Sequence, residues 1–458
     1  MNLDDTIVAI ATPPGRGGIG VVRLAGPDAR SIAEPMLKLT HPLEAGRAMF
    51  GDLVEANGIA PDGSDARIDE VVVTYFAKPH SYTTDDIVEI SAHGAPVVLR
   101  HIVEVAVARG ARLAEPGEFT MRAFLNGRID LTQAEAVRDL IESQTLFQAK
   151  VAAQQLEGAV TKRLKPIKQD LVTLIARLEA GIDFAEDDVS ILPSASILEQ
   201  IAAVERPLQN LAASFTYGKV VHEGFTLAIV GRPNVGKSSL FNRLVERDRA
   251  IVTATPGTTR DLVSETVAIG GIPVNLIDTA GIRQAHDEVE SIGIQKSREA
   301  LADADVALLV VDASVPPTLD DQALLAELAQ RSAILVENKA DLAHSASPVL
   351  NSQLPHVRTS ALTGEGLSDL KTGILQKIGL GSDANQEPGF LTNIRQQGLV
   401  RESLTALEAA KSAVDFHTPH EMLLMDLYNA LRPLDEITGA TTNDDILSLI
   451  FSTFCIGK

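Results

Sequence analysis

Three features of the sequence predict a multidomain chain of the α/β plus all-α class. A glycine-rich loop pattern, Gly231 to Ser238, stands between a short apolar run typical of a buried strand and a segment with helical spacing. Helical periodicity fills long stretches on both sides of this region. Short strand patterns with glycine-rich turns occupy residues 1–120. We therefore expect an N-terminal α/β domain and a second α/β domain, which the helical stretches on both sides suggest is inserted into a helical domain.

Length and composition are those of an acidic globular protein. The 458 residues are enough for two to four domains, and 45% hydrophobic with 22% charged residues is ordinary for a water-soluble chain. The formal net charge is -21, which argues against non-specific electrostatic binding of nucleic acid. Any contact with RNA is therefore expected to be local or shared with a partner.

The single cysteine and the acidic start of the sequence predict a cytoplasmic protein without a membrane segment. Cys455 has no second cysteine to pair with, which suits a reducing compartment. Residues 1–5 are acidic where a signal peptide would be basic. No apolar run approaches the roughly 20 residues needed to span a bilayer.

The N-terminal domain, residues 1–120, begins with a strand at Thr6 to Ala11. The next segment, Gly15 to Gly20, matches G-x-G-x-x-G, so a dinucleotide site has to be considered. We reject it because Val21 to Leu24 is β-branched and strand-like, where the fingerprint requires a helix. A glycine-rich hairpin is the better interpretation. Further elements are predicted as two strands and a helix: Val71–Phe76, Ile87–Ser91 and Pro96–Ala108.

Two helical stretches, residues 121–219 and 380–458, flank the inserted domain. A capping box at Thr132 to Glu135 predicts a helix that continues to about Gly158. The spacing also predicts helices over 161–181, 196–214, 393–413, 420–432 and 443–454. The two stretches could pack as one bundle or be unrelated helical pieces, and the spacing alone leaves both possibilities open.

The inserted domain, residues 220–379, carries a phosphate-binding loop. Gly231 and Gly236 let backbone N–H groups turn toward phosphate oxygens at a helix N-terminus, whose dipole favours anions. Lys237 is then placed to reach the β- and γ-phosphates, and Ser238 to bind Mg²⁺. A chance glycine turn is the alternative for an isolated match.

Three further motifs follow in the order of a Ras-like P-loop G domain, which makes the chance alternative untenable. The segment Asp278–Gly281 ends a strand with an acid that can hold Mg²⁺ through water. Asn338–Asp341 ends another strand, and the Asp341 carboxylate can accept both the ring N–H and the amino group of guanine, a donor pair that adenine lacks. Ser360–Leu362 completes the base pocket. Together the four motifs predict GTP as the ligand.

The whole chain resembles the MnmE (TrmE) family of tRNA-modification GTPases. The similarity lies in the phosphate loop and in five other segments: Ala11–Gly18, Pro116–Phe119, Arg122–Asn126, Gly257–Asp261 and Phe454–Lys458. The combination of the first and last motifs is specific. The resemblance implies an N-terminal folate-binding domain that forms a homodimer, a helical domain split by the G domain, and GTP hydrolysis promoted by K⁺. It also implies a flavin-dependent partner, MnmG, in a heterotetramer-type complex.

The family's reaction modifies the wobble uridine of certain tRNAs with an aminomethyl or carboxymethylaminomethyl-type group. The one-carbon donor implied is a tetrahydrofolate derivative, formyl or methylene, and the tRNA is shared with MnmG. By the same resemblance the GTP-binding residues are Asn234, Val235, Gly236, Lys237, Ser238, Ser239, Thr253, Ala254, Thr255, Pro256, Gly257, Thr258, Thr259, Asp278, Thr279, Ala280, Gly281, Asn338, Lys339, Ala340, Asp341, Ser360, Ala361 and Leu362.

Water activation and charge neutralisation need groups outside the four motifs. Ile282 is apolar where Ras-like proteins place the glutamine that positions the attacking water, so another group must orient that water. The resemblance assigns this catalytic role to Glu290 rather than to Asp287 or Glu288. It also implies that Thr259 joins Ser238 at Mg²⁺ and that K⁺ is held by Asn234, Thr253, Thr255 and Thr258. From the residues alone, Asn234 could equally well brace the loop.

For the folate, the resemblance implies Glu89 against the pterin ring and Arg23, Arg128 and Lys458 as cations. Arg128 stands where some relatives have lysine, which keeps the charge with a different geometry. The alternative is a structural ion pair between Glu89 and Arg23, with Lys458 as a frayed end. Cys455 could serve the bundle or attack the uridine ring, and the sequence does not choose between these roles.

A different class of function remains open at this point, that of a ribosome-assembly GTPase without modification activity. Such proteins usually carry a basic RNA-binding module, and the sequence shows none. An N-terminal folate domain also has no place in that class. The modification enzyme is therefore the preferred hypothesis.

Overall fold

The computed structural model describes residues 3–59, 65–183, 192–248, 264–278, 301, 303–342, 352–380, 389–440, 447 and 450–457. These residues belong to two compact units, Met1–Arg138 with Thr438–Lys458, and Asp139–Ile437. The first unit thus extends past the predicted boundary at residue 120 and takes in the end of the chain. Aromatic packing explains this, because the Phe451 ring lies 6.4 Å from that of Phe124 and 5.3 Å from that of Phe454.

The first unit contains a seven-stranded sheet. Its strands are β1 (Ile7–Ile10), β2 (Gly17–Ala25), β3 (Leu37–Leu39), β4 (Ala48–Ile59), β5 (Asp65–Phe76), β6 (Ile87–Gly94) and β7 (Arg112–Leu113). Their order is β3-β4-β5-β6-β2-β1-β7, and only β1 and β7 pair in parallel. The β1–β2 pairing, with Ile10 opposite Val22, confirms the glycine-rich hairpin and the rejection of a dinucleotide site.

Helices of the first unit lie on both faces of this sheet. They are α1 (Ala29–Ala33), α2 (Pro96–Ala108), α3 (Glu118–Leu125) and the start of α4 (Leu131–Glu142). The bounds of α2 agree with the prediction from its apolar spacing. Leu99 and Ile102 of α2 pack with Val22, Val73 and other inward-facing strand residues in one buried cluster. On the opposite face, Phe119 of α3 packs with Ile7 and Ile87 in a second buried cluster. Arg23 and Glu89 lie on neighbouring strands at this face, and the Arg23 guanidinium is 5.6 Å from the Phe119 ring.

The second unit combines a six-stranded sheet with helices. The strands are β8 (Phe225–Val230), β9 (Ser264–Ile269), β10 (Ile272–Asp278), β11 (Val306–Asp312), β12 (Ala333–Asn338) and β13 (His356–Arg358). The helices in its described part are α5 (Leu146–Leu156), α6 (Ala159–Asp183), α7 (Ser194–Glu223), α8 (Lys237–Asp248), α9 (Leu319–Leu328), α10 (Leu367–Lys377), α11 (Ile394–Asp415) and α12 (His420–Thr438). The order β13-β12-β11-β8-β10-β9 is parallel except at β9–β10.

The two helical stretches form one bundle. A single hydrophobic cluster contains Leu171 of α6, Leu208 of α7, Leu407 of α11 and Leu427 of α12, all fully buried. The sheet domain lies between these stretches in the chain and has its own buried core. This confirms the predicted fold class, in which a P-loop G domain interrupts a helical domain. Half of the predicted helix over 443–454 falls outside the described residues.

The helix predicted from Thr132 to about Gly158 is in fact two helices, and its predicted cap is wrong. Asp130 is the capping residue, because its Oδ1 accepts the Gln133 N–H at 2.9 Å while the Gln133 Oε1 accepts the Asp130 N–H at 2.9 Å. Thr132 lies inside α4. A second capping box at Thr145 and Gln148 starts α5, which breaks the continuous helical pattern.

Candidate functional site

The phosphate loop connects β8 to α8 and is closed by two glycines. A Cβ atom on Gly231 would lie 2.3 Å from the Val310 carbonyl oxygen, and one on Gly236 would lie 2.2 Å from the Asn338 Nδ2. Both glycines also have positive φ angles, +149° and +95°. Only glycine therefore fits at either position, which is the physical reason for the spacing of the motif.

Lys237 and Asn234 complete the loop. The buried Lys237 ammonium donates hydrogen bonds to the carbonyl oxygens of Gly231 at 2.9 Å and Arg232 at 2.7 Å. Asn234 is exposed and has a left-handed φ of +66°, which asparagine tolerates better than most residues. This geometry suits a cation ligand and a loop brace equally, so the proposed role of Asn234 stays a prediction. Ser238 and Ser239 lie exposed in the first turn of α8.

Asn338 ties three of the predicted motifs together. Its Nδ2 donates to the Val235 carbonyl oxygen of the phosphate loop at 3.0 Å. Its Oδ1 accepts the N–H of Ala361, in the Ser360–Leu362 motif, at 3.0 Å. The side chain is buried at the carboxyl end of β12. The structure therefore brings the phosphate loop, the Asn338–Asp341 motif and the Ser360–Leu362 motif into one site.

Lys339 is held by an acid that the sequence reasoning missed. Its Nζ lies 2.6 Å from the Asp312 Oδ2, and its backbone is left-handed, with φ of +64°. Burial acts to raise the pKa of Asp312, but hydrogen bonds from Lys339 and Ser314 outweigh it and hold that pKa below its ordinary value. Asp312 therefore stays ionised and fixes the lysine. Its position at the carboxyl end of the apolar run Val306–Val311 was the available signal.

The base side of the site is open to solvent. Asp341 is exposed in a short 3-10 turn, Ala340–Leu342, directly after β12. Ser360 is fully buried, whereas Leu362 is 77% exposed. Arg243 of α8, another residue missed in the sequence, donates from Nε to the Ala361 carbonyl oxygen at 2.9 Å. This leaves the Asp341 carboxylate accessible to a ligand, beside a loop fixed from two sides.

Arg232 anchors the loop to the neighbouring helix. Its Nε donates to the Asp321 Oδ1 at 2.7 Å, and Asp321 also forms a capping box with Thr318 at the start of α9. Burial acts to raise the pKa of Asp321, but the hydrogen bonds from Arg232 and Thr318 hold it below its ordinary value. Asp321 lies in no nucleotide motif, so sequence spacing gave no reason to select it.

A separate cavity of about 670 Å³ lies in the first unit. Glu89 and Arg128, two of the four predicted folate residues, line it. The remaining lining residues come from the ends of β5 and α3, the start of β6 and the loop before β6: Phe76, Pro79, His80, Ser81, Tyr82, Thr84, Ile87, Asn126 and Gly127. The cavity therefore has a carboxylate, a guanidinium and an aromatic ring within one opening.

Arg23 contacts this cavity through Glu89. The Glu89 Oε1 accepts from Arg23 at 2.8 Å to Nε and 2.7 Å to Nη2. The guanidinium also lies 5.8 Å from the Tyr82 ring and donates to the Gly457 carbonyl oxygen at 3.4 Å. The ion pair named as the alternative is thus present. The hydrogen bond from Arg23 to Gly457 also places the last described residue of the chain beside the predicted folate residues.

Tyr82 and Asn126 are pocket residues that sequence reasoning missed. Arg128 donates to the Tyr82 carbonyl oxygen at 2.6 Å, and its guanidinium lies 5.1 Å from the Tyr82 ring. The Tyr82 hydroxyl lies 2.9 Å from the Thr120 Oγ1, and burial raises the pKa of this tyrosine. Asn126 donates to the Thr83 carbonyl oxygen at 2.6 Å. Asn126 belongs to a family segment, which was a usable signal, whereas Tyr82 had none.

Several predicted site residues lie outside the described part of the chain. They are Thr253, Ala254, Thr255, Pro256, Gly257, Thr258, Thr259, Thr279, Ala280, Gly281, Glu290 and Lys458. The backbone of Asp278 ends β10, but its side chain is not described. Cys455 is exposed, and its carbonyl oxygen accepts the Gly117 N–H at 3.4 Å. The roles assigned to these residues stay predictions.

The described residues contain neither a membrane-spanning helix nor a ready-made metal cage. No helix among them has the length and hydropathy needed to cross a bilayer. No cluster of three or more histidine, cysteine, aspartate or glutamate side chains in that part of the chain could hold a metal ion.

Comparison with known proteins agrees with this architecture. The family model of the MnmE helical domain matches residues 131–455, and that of the GTP-binding protein TrmE N-terminus matches residues 6–128. The tRNA modification GTPase MnmE of Koribacter versatilis is 68% identical over 462 residues, covering 100% of both chains. The tRNA modification GTPase MnmE of Aquifex aeolicus is 42% identical over 455 residues, covering 99% of this chain and 100% of its own. The chain belongs to the MnmE (TrmE) family of tRNA modification GTPases.

Proposed function

We propose that this protein binds and hydrolyses GTP as part of tRNA modification. The observation that carries the nucleotide part is the Asn338 side-chain amide, which joins the phosphate loop to the base-side motif. Its Nδ2 donates to the Val235 carbonyl oxygen at 3.0 Å, and its Oδ1 accepts the Ala361 N–H at 3.0 Å. A ligand that spans both motifs must carry phosphates at one end and a base at the other. The exposed carboxylate of Asp341 favours guanine as that base.

Hydrolysis is proposed to depend on Mg²⁺ and K⁺. Ser238 and Thr259 are the residues that would hold Mg²⁺, which supplies charge neutralisation at the phosphates. Asn234, with its exposed amide, and Thr253, Thr255 and Thr258 would hold K⁺, which supplies positive charge where other GTPases use an arginine. Glu290 is proposed to orient the attacking water. Turnover is expected to be much faster in K⁺ than in Na⁺, and equal rates in both salts would contradict the cation site.

The cavity of the first unit is proposed to bind a tetrahydrofolate derivative, formyl or methylene. The residues fit such a ligand, because Glu89 could accept pterin N–H groups, while Arg128 and Arg23 could meet its anionic tail or position the one-carbon group. Within the described part of the chain the Glu89 Oε2 makes no hydrogen bond, so it is available to a ligand. Lys458 is proposed as a further cation, following Gly457, whose carbonyl oxygen accepts from Arg23.

The biological reaction proposed is modification of the wobble uridine of certain tRNAs, of aminomethyl or carboxymethylaminomethyl type. The protein is proposed to act in the cytoplasm as a homodimer with a flavin-dependent MnmG partner that shares the tRNA. The full-length similarity to two proteins named tRNA modification GTPase supports this proposal.

Mass spectrometry of tRNA nucleosides provides the test. A strain that lacks this gene is complemented with the wild-type gene, with Asp341→Asn, or with an Asp369→Asn control in the exposed first turn of α10. We expect the modified uridine with the wild type and the control, and its loss in the deletion strain. Full modification in the deletion strain, together with unassembled ribosomal subunits, would favour the alternative of a ribosome-assembly GTPase.

A further inference from the structure

A second cavity in the first unit, of about 550 Å³, has no role in the functions described above. It lies between the start of β2, the end of β6 and the first turn of α2. Two arginines, one histidine and apolar or glycine residues line it: Arg16, Gly17, His93, Gly94, Ala95, Pro96, Val97 and Arg100. We name these residues the α2 cavity.

No acid in the described part of the chain neutralises the arginines of the α2 cavity. Arg16 is exposed and makes no hydrogen bond or ion pair with any described residue. Arg100 donates from Nε to the Pro96 carbonyl oxygen at 3.2 Å, a neutral acceptor that leaves its charge uncompensated. In a chain with a net charge of -21, two such guanidinium groups at one opening form a local anion-attracting site.

The one acid that contacts a lining side chain among the described residues is already engaged. Asp69 accepts the His93 backbone N–H at 2.8 Å and lies 2.6 Å from the His93 Nδ1. Its side chain is only 10% exposed, whereas that of His93 is 70% exposed. The pair therefore fixes the imidazole by one nitrogen and presents it to solvent, where Nε2 remains for a ligand.

The other walls are apolar. Val97 is 67% exposed beside Pro96, and two glycines contribute backbone without side chains. An anion that is purely inorganic would leave these surfaces in water, whereas a phosphate attached to a sugar and base would cover them. Guanidinium groups bind phosphate oxygens through paired N–H donors.

We propose that the α2 cavity binds a backbone phosphate of a single-stranded RNA segment, with the adjacent nucleoside against Pro96 and Val97. The proposal rests on the proposed function, because it assumes that the protein meets tRNA. It reconciles the acidic chain with an RNA substrate, since the contact is confined to one cavity. A free nucleotide carries the same chemistry and is distinguished by the experiment.

Binding of a short fluorescein-labelled single-stranded RNA to the full chain, followed by fluorescence anisotropy at several salt concentrations, is the test. Replacing Arg16 and Arg100 together with alanine should weaken binding on the order of tenfold and lower the slope of log affinity against log salt by about one. Arg109→Ala removes the same kind of charge just beyond the other end of α2 and should leave both quantities unchanged.

Val97→Glu is a second variant that keeps the fold. The residue is exposed in the first turn of α2, where a carboxylate favours the helix. This variant should abolish the contribution of the cavity to RNA affinity while leaving the melting temperature of the protein unchanged. Val107→Glu, at the exposed far end of the same helix, is its matched control and should bind RNA normally.

Three results would overturn the proposal. They are the absence of RNA binding by the wild-type chain, equal affinities for the cavity variants and their controls, and binding of uridine monophosphate that depends on Arg16 while RNA binding does not. The mass spectrometry of tRNA nucleosides described above tests the proposed function separately. If the wild-type gene restores modification but RNA affinity does not depend on the cavity residues, this inference alone is contradicted. If the wild-type gene fails to restore modification, the proposed function is contradicted.

Discussion

The nucleotide site and the cavity proposed to bind folate are built in opposite ways. In the nucleotide site the phosphate loop and the motifs at Asn338 and Ser360 lie at or just after the carboxyl ends of parallel strands, so residues close in space lie in short contiguous motifs. At the cavity, Glu89 and its partner Arg23 come from two antiparallel strands, and Arg128 comes from the segment just after α3. A sequence motif can therefore identify the nucleotide site, whereas the cavity forms only once the strands have paired.

The two sites also differ in how much change they can absorb. The backbone of the phosphate loop lies against the Val310 carbonyl oxygen of β11 and the Asn338 side-chain amide, and no added carbon fits at its glycines. The cavity is held by side-chain pairs such as Arg23 with Glu89 and Arg128 with Tyr82. We therefore expect single substitutions to destroy the nucleotide site and only to weaken the cavity.

Gly236→Ala should have the largest effect and is the severest test of this comparison. The new Cβ would collide with the Asn338 amide and would force a left-handed backbone, which together cost on the order of 3 kcal/mol or more. GTP affinity should fall by roughly a hundredfold or more. Fluorescent-nucleotide titration measures this.

Gly398→Ala is the matched control for that variant. Gly398 lies within α11 with open space where a Cβ would be added, so alanine should stabilise the helix slightly and leave GTP binding unchanged. Near-normal affinity of Gly236→Ala would mean that the loop can adapt, and the contrast between the two sites would then fail.

Asp341→Asn should have the next largest effect, because it changes only the base contact. Losing a charge-assisted bond costs about 1.5–3 kcal/mol, so GTP affinity should fall roughly 10- to 100-fold. Xanthosine triphosphate should bind better than GTP, since the new amide matches a ring carbonyl. Asp369→Asn, an exposed acid in α10, should bind as the wild type does. Unaltered guanine preference would remove Asp341 from the base pocket.

Sequence reasoning predicted the nucleotide site better than the cavity for the same architectural reason. Strand, glycine loop and helix follow one another in the chain, so the spacing of Gly231 to Ser238, together with three further motifs in the expected order, identified the loop. Asp312 and Asp321 were missed because their partners, Lys339 and Arg232, are 27 and 89 residues away. Nothing in a single sequence indicates which distant acid meets a given base.

The fold shows the same division between local and distant information. The bounds of α2 followed from its spacing, whereas the cap of α4 at Asp130 depended on which of two polar residues turns toward Gln133. The packing of the two helical stretches in one bundle was left open, since periodicity identifies an apolar face but not its partner. Burial of Leu208 and Leu407 in one cluster resolved it.

Glu89→Gln should have a moderate effect, because it keeps the shape of the side chain and removes its charge. The ion pair with Arg23 is lost, along with charge-assisted acceptance of pterin N–H groups, so formyl-tetrahydrofolate affinity should fall about tenfold. Calorimetric titration measures it. Glu34→Gln breaks the exposed pair with Arg30 and should change nothing. A variant that binds folate normally would make the Arg23–Glu89 pair purely structural.

Tyr82→Phe should have the smallest effect, and it tests whether Tyr82 positions the cavity or contacts the ligand. The ring that faces Arg128 is retained, while the hydroxyl bond to Thr120 is lost, at a cost of about 1 kcal/mol. Because α3 is then held less firmly to the loop before β6, folate affinity in the same calorimetric titration should fall only a few-fold. Tyr428→Phe removes a comparable hydroxyl bond, to Glu179 in the helical bundle, and should leave folate affinity unchanged. If Tyr82→Phe weakened binding as much as Glu89→Gln does, the hydroxyl itself would have to contact the ligand, and the cavity would resemble the nucleotide site in depending on single atoms.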